Sequence, residues 1–330
     1  MQKVMFKKGV FLKKRKLLIP LAVSLLVILS GGIYIGYQYG PNFNFYLVPP
    51  TPKRDAMYAL NRILSTGIYS ENQTQKNKLR KISNEISKKN NYKEIYPLLE
   101  QALLIKGGKH SSLVTPKETK KDVSQYKEPT VNVKNNILYV HLPEFVGSKE
   151  QAKKYATTVY HGITKQKYIG VIIDLSNNRG GDIGPMLAGI SPIIPNGKLF
   201  ETINADDKST TVTFQGSVTN NMGTKIDLGK VKKVTKLPVA VILNRWTASS
   251  GELTILALKN NLNVKTFGSN SAGYTSINNT YTMYNGTQLN ITTDKIKKNN
   301  GQVLFNKKIK PDIMTEEPLV KAKEWVANHN

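Results

Sequence analysis

Hydrophobic positions follow three different patterns along the chain. The first is a single uninterrupted run. Residues 17–35 (LLIPLAVSLLVILSGGIYI) carry no charge over about nineteen positions, enough for a helix to cross a ~30 Å hydrocarbon core. Tyr34, Tyr37 and Tyr39 stand at its far end, where aromatic rings favour the membrane–water interface. A stretch with four prolines, residues 41–53, reads as an extended linker. The second pattern is helical. Ala56, Ala59, Leu60 and Ile63, then Leu79, Ile82 and Ile86, then Ile95, Leu98, Leu99, Ala102 and Leu103 recur at spacings of three and four. They predict a small bundle of three or four helices over 54–108, ended by Gly107-Gly108.

The third pattern begins after a polar, irregular stretch, residues 109–135. Apolar runs of strand type at 136–145 (NILYVHLPEF), 169–175 (IGVIIDL) and 237–243 (LPVAVIL) alternate with helical segments at 149–164 and 251–260. Further strands are expected at 264–267, 274–283 and 288–293, and a final helix at 318–328. Apolar strands alternating with helices predict an α/β (α+β) core. Residues 197–236 are polar, Thr-rich and partly alternating. They read as an excursion of antiparallel strands, a cap-like, β-rich insertion over the site. No internal repeat is visible.

Composition narrows the function. With 330 residues and 39% hydrophobic positions, the chain has room for one to three domains and is not disordered as a whole. The absence of cysteine excludes a thiol nucleophile, a disulfide scaffold and a cysteine-ligated metal. His110, His141, His161 and His329 leave few ways to build a His-rich metal site, and neither metal nor cofactor is expected. The net charge is +26. Lys3, Lys7, Lys8, Lys13, Lys14, Arg15 and Lys16 precede the apolar run, which places the N-terminus in the cytoplasm and residues 40–330 outside. The expected organisation is thus a basic tail (1–16), a transmembrane anchor (17–39), a linker (40–53), the bundle (54–108) and the core (109–330). The rival is a signal peptide cleaved near Ser30-Gly31-Gly32, although a clean A-x-A site is missing. Setting those seven residues aside leaves +19. Outside the cell that charge faces anionic cell wall or lipid headgroups rather than nucleic acid, unless it is only a solvated surface.

Three segments carry candidate chemistry. Thr247-Ala248-Ser249-Ser250-Gly251-Glu252 lies between a buried strand and an apolar helix. There the free N–H groups and dipole of a helix N-terminus favour a nucleophilic serine and its oxyanion. The plainer alternative is a capping box, with Glu252 reaching back to its cap. Asp174-Leu175-Ser176-Asn177-Asn178-Arg179-Gly180-Gly181 also follows a buried strand. Its paired glycines permit a close backbone approach or aim N–H groups at an oxyanion, or make only a turn. Gly107-Gly108-Lys109-His110-Ser111 places a histidine in a polar loop at a domain junction, where it is either exposed or a general base.

Together these segments resemble the tail-specific (C-terminal processing) serine peptidases and their tricorn-like relatives. In that family a D-L-R-x-N-x-G-G strand end precedes a T/S-A-S-A/S-x-E nucleophile motif. Asp174–Gly181 and Thr247–Glu252 match in order and setting, with Ser176 where Arg is usual. The resemblance implies Ser249 as nucleophile and an oxyanion hole from the N–H of Ser250 with that of Gly180 or Gly181. Many members take a lysine base from a Y-G-K-G turn, but the corresponding turn here, Ser269 to Ser276, has Tyr274 and no lysine. Its S-A-G-x-x-S form resembles the branch whose base is a histidine from the helical part, which implies His110. His141 and His161 are weaker alternatives. Glu252 is a candidate support, and Tyr274, Thr275 and Asn178 are candidate substrate contacts. Members of the histidine branch carry a Glu shortly before a late G-I/V-x-P-D motif. Residues 302–312 (QVLFNKKIKPD) have none, so the partner that orients His110 is unassigned. The stretch before the core is too short for a PDZ module. Over nearly all of residues 54–315 the resemblance is to membrane-anchored members that clip the C-terminal tail of nisin-type lantibiotics and so weaken their membrane binding. The implied partners are therefore a lantibiotic such as nisin and the membrane. A general processing peptidase of envelope proteins, or a lantibiotic-binding immunity protein on an inactive fold, are the alternatives.

Overall fold

The computed structural model describes residues 23–43, 45–234 and 236–329. Residues 23–39 form a helix, α1, followed by a 3₁₀ turn at Gly40–Phe43. The basic tail and the first part of the expected membrane span lie outside the described residues. Among the described residues no helix is long and apolar enough to cross a membrane. The end of α1 is tied to the next helix: the Arg54 guanidinium stacks 3.4 Å over the Tyr37 ring and donates to the Tyr37 carbonyl.

Three capped helices follow, α2 (Pro52–Thr66), α3 (Gln73–Ile86) and α4 (Tyr92–Gly107). The side chains of Thr51, Asn72 and Asn91 accept the N–H three residues on, satisfying donors that the first turn leaves free. A 3₁₀ turn at Gly108–His110 leads into β1 (Ser112–Val114), α5 (Pro116–Ser124) and β2 (Thr130–Lys134). The stretch expected to be irregular thus holds three short elements. It lacks a periodic signature because α5 buries no residue and β2 only half-buries alternate ones.

The core runs β3 (Ile137–His141), α6 (Lys149–Thr164), β4 (Gly170–Asp174), α7 (Ile183–Gly189), β5 (Gly197–Asn204), β6 (Ser209–Gln215) and β7 (Val218–Asn220). It continues with β8 (Val239–Leu243), α8 (Ser250–Leu258), β9 (Val264–Gly268), β10 (Ile277–Thr282), β11 (Gln288–Lys297), β12 (Val303–Leu304), β13 (Ile313–Met314) and α9 (Pro318–Ala327). One sheet has the order β13-β9-β8-β4-β3-β2 and is parallel except for β2. Val171, Ile173, Val239, Val241 and Leu243 enter the cluster made with α6, α7 and α8. Ile172, Ala240 and Ile242 enter a second cluster under α9, with Ala322 and Val326. Burial on both faces is why these strands are continuous apolar runs rather than alternating ones.

The second sheet is antiparallel, ordered β1-β11-β5-β6-β7, with β10 and β12 also on β11. It contains the insertion expected as a cap. Of the described residues of that segment only Met222 and Gly223 line the groove described below, while Phe200, Val212 and Phe214 join the main core. The helical bundle does not close its own core. Met283, Leu289 and Ile291 from the β10–β11 hairpin complete it, so the bundle and the hairpin form one packed unit.

Candidate active site

The C-terminal ends of β4 and β8 lie side by side, and the turn after each is stitched to the other. The Ala248 N–H donates to the Asn178 carbonyl at 2.8 Å. The Thr247 hydroxyl donates to the Leu175 carbonyl, also at 2.8 Å. Between β8 and α8 the chain turns sharply at Ser249, with φ 51° and ψ −120°. A side chain rarely adopts this backbone region, and residues forced into it cluster at functional sites. The elbow lifts the Ser249 hydroxyl off the N-terminus of α8. Gly180 lies directly behind it: a Cβ there would stand 2.8 Å from Cβ of Ser249. At φ +111° that position suits glycine alone.

His110 arrives from the opposite wall. Gly108 (φ +70°) ends α4 against the Tyr69 ring, and the following turn presents the imidazole. Its Nε2 is 3.0 Å from Ser249 Oγ, and its Nδ1 is 2.7 Å from Ser276 Oγ. The Ser276 hydroxyl reaches Asn306 Oδ1 at 3.0 Å, and Asn278 Nδ2 holds the His110 carbonyl at 2.7 Å. Burial, helped by the charge on Lys109, lowers the His110 pKa from 6.5 to about 4. A neutral imidazole facing a hydroxyl in this way is the geometry for proton abstraction.

Glu252 is fully buried. Its carboxylate accepts the N–H groups of Ser249 (2.9 Å), Gly273 (2.9 Å) and Tyr274 (2.7 Å) and the Ser271 hydroxyl. Burial raises its pKa, against the pull of these donors. Glu252 therefore ties the elbow to the 271–274 turn rather than facing solvent. Two N–H groups stay open beside Ser249. The Gly180 carbonyl accepts from Phe145, which turns the N–H of the same peptide, that of Gly181, the other way. The N–H of Ser250, first in α8, also has no partner among the described residues. The Gly180 N–H is engaged, donating to Asn178 Oδ1 at 2.9 Å. Of the two glycines expected at an oxyanion hole, Gly181 is the one with a free donor.

Over residues 136–315 the chain matches peptidase family S41. It is 37% identical over 291 residues to the nisin-resistance protein of Lactococcus lactis subsp. lactis, covering 88% of this chain and 92% of that protein. The chain belongs to peptidase family S41. It is a serine peptidase, a hydrolase of the carboxyl-terminal processing type. The carboxy-terminal processing protease CtpA of Bacillus subtilis is 26% identical over 184 residues, which span 56% of this peptidase and 36% of CtpA. Among solved structures, a lipoprotein from Streptococcus agalactiae superposes with a TM-score of 0.77 at 29% identity, covering 86% of this chain and 99% of that one.

The peptidase's Ser249 and His110 line a groove of about 990 Å³, with Gly181, Ser250, Tyr274 and Ser276. Apolar walls come from Val146, Ile183, Trp246 and Leu253. The guanidinium groups of Arg179 and Arg245 lie over the Trp246 ring, 5.3 and 5.1 Å from its centroid. Tyr274, expected to contact substrate, lines the groove with its ring 5.2 Å from that of His110. The other two expected contacts do not face it. Asn178 is fully buried, bonding the Leu142 carbonyl and the Gly180 N–H, because an amide can satisfy a buried turn from both ends. Thr275 is buried too, exchanging hydrogen bonds with the backbone of Lys307. His141 lies 3.5 Å from Asp174 and His161 sits in α6; neither lines the groove. Sequence reasoning passed over Ser276, Asn278 and Asn306. Ser276 was visible as the last residue of the S-A-G-x-x-S turn, but nothing local links Asn306 to it.

Proposed function

We propose that this peptidase is anchored in the cell membrane by its N-terminal segment, with the catalytic part outside, and cuts the C-terminal tail from nisin-type lantibiotics to confer resistance. Ser249 is the nucleophile and His110 the base. The observation that carries the reading is the 3.0 Å contact between Nε2 and Oγ, which joins residues 139 positions apart at a strained elbow. The substrate class is supported by the near full-length similarity to the nisin-resistance protein. Ser249 Oγ attacks the scissile carbonyl as its proton passes to Nε2. The N–H groups of Gly181 and Ser250 receive the developing oxyanion, each worth ~3 kcal/mol. The proton then goes to the leaving amine, and water repeats the sequence on the acyl-enzyme. Nisin is cationic and the outer part of this chain is too, so recognition falls to the groove and its apolar walls rather than to net charge.

Similarity to CtpA favours a second reading, processing of envelope proteins. The test uses the full chain in membrane vesicles with nisin, read by mass spectrometry beside Ser249→Ala and His110→Ala. The parent should release a defined C-terminal piece, with each variant slower by roughly 10⁴-fold or more. Intact nisin beside cleavage of a generic unfolded tail would favour the envelope reading. Nisin bound but uncut by all three proteins would indicate sequestration.

A further inference from the structure

We propose that Ser276 and Asn306 form an uncharged relay that fixes the tautomer and orientation of His110. The inference rests on the reading of Ser249 and His110 as nucleophile and base. Ser276 and Asn306 are positioning residues; neither touches the reacting atoms.

Donor counting sets the direction of the chain. Asn306 Oδ1 only accepts, so across 3.0 Å the Ser276 hydroxyl proton points at it. A hydroxyl has one proton. Toward the ring, 2.7 Å away, Ser276 therefore offers a lone pair. Nδ1 must then carry the imidazole proton, and Nε2 is left with its lone pair facing Ser249 Oγ. On the far side Asn306 Nδ2 donates to the Tyr69 hydroxyl at 3.4 Å. Ser276 is 1% exposed. Asn306 adopts φ 50°, a left-handed conformation that, glycine aside, Asn and Asp tolerate best. The Asn306 N–H donates to the Thr275 carbonyl and the Lys307 N–H to the Thr275 hydroxyl. Thr275, expected to contact substrate, instead fastens the two relay segments together.

The missing charge has a consequence. When Ser249 attacks, its proton moves to Nε2 and the ring becomes an imidazolium. Nδ1–H then makes a charge-assisted bond to a neutral oxygen. Among the described residues no carboxylate bonds the ring. Lys109 stands on the same turn, the Tyr274 ring meets His110 edge-on, and Tyr69 lies behind Asn306. Lys308, Asp122 and Asp182 line the wider groove, and Glu252 is occupied by the elbow and the 271–274 turn. Burial without a counter-charge favours the neutral ring, in keeping with a pKa near 4.

The test does not depend on knowing the substrate. The full chain in detergent, labelled with ¹⁵N-histidine, is titrated by NMR, with His110→Ala assigning the ring signals. The wild type should show the Nδ1–H tautomer for His110. Ser276→Ala should give a mixture of tautomers, and Ser276→Thr, which keeps the hydroxyl, should restore the single form. Asn306→Asp preserves shape and backbone preference but places an anion behind Ser276, so the His110 titration should move to higher pH. In cleavage assays Ser276→Ala should lower kcat on the order of 10²-fold with KM little changed. An Nε2–H tautomer in the wild type, or an unmoved titration in Asn306→Asp, would overturn the relay. Retained cleavage by Ser249→Ala would instead overturn the reading beneath it, while the NMR result would stand separately.

Discussion

The two walls of the groove are built differently. The nucleophile wall comes from one sheet. Ser249, Gly180 and Gly181 all sit in the turns that follow β4 and β8, neighbouring parallel strands buried on both faces. The base wall is assembled from distant pieces: the end of α4, the start of β10 and the segment around Asn306. The apolar cluster shared by the bundle and the β10–β11 hairpin unites the first two, and the Asn306 segment is fastened to them by its hydrogen bonds with Thr275. The buried Asp55 adds a polar link, accepting from the Tyr92 hydroxyl and from the Tyr284 N–H. One wall is thus a rigid product of local strand ends. The other depends on long-range packing to bring a single histidine within reach.

Perturbing each wall separately tests the contrast. With Ser249 and His110 both in place, the largest effect is expected from Gly180→Ala. The added Cβ meets Ser249 Cβ at a φ that L-residues avoid, so the elbow must shift. A loss on the order of 10²-fold in kcat is expected, with circular dichroism unchanged because the strand cores are untouched. Next is Leu289→Ala. Leu289 is fully buried in the shared cluster, and its truncation should cost about 2–5 kcal/mol. Hydrogen exchange should quicken in β10, β11 and the bundle while β4 and β8 stay protected. Equal loss of protection in both regions would break the contrast. The mildest test is pH. Because His110 is held at about 4 rather than 6.5, the ring stays neutral above that value. Activity should therefore fall as the pH drops through about 4 and stay level near 6.5. An inflection at 6.5 would mean the base wall is open to water.

How legible each wall was in the sequence follows from its construction. The core strands and helices stood out because burial on two faces writes continuous apolar runs, and the 149–164 helix matches α6. The elbow was visible because its parts are contiguous. His110 stood out locally only as either exposed or a base, and family resemblance chose between the two, since one loop histidine has no distinguishing local pattern. β1, α5 and β2 went unseen because they bury too little to impose a period.

Asn178 and Thr275 show where residue type misleads. Both are polar and lie beside motif residues, and both were expected at the substrate. Both are instead fully buried, meeting backbone groups that the turns leave unsatisfied. Side-chain chemistry and short-range spacing are properties of the chain, and they settle the buried core strands and helices, the candidate serine and the paired glycines. Which hydroxyl meets Nδ1, which amide meets that hydroxyl, and which glycine N–H stays free depend on segments tens to hundreds of residues apart. Those contacts exist because the bundle cannot bury its apolar face without the hairpin, and docking the two carries His110 to Ser249.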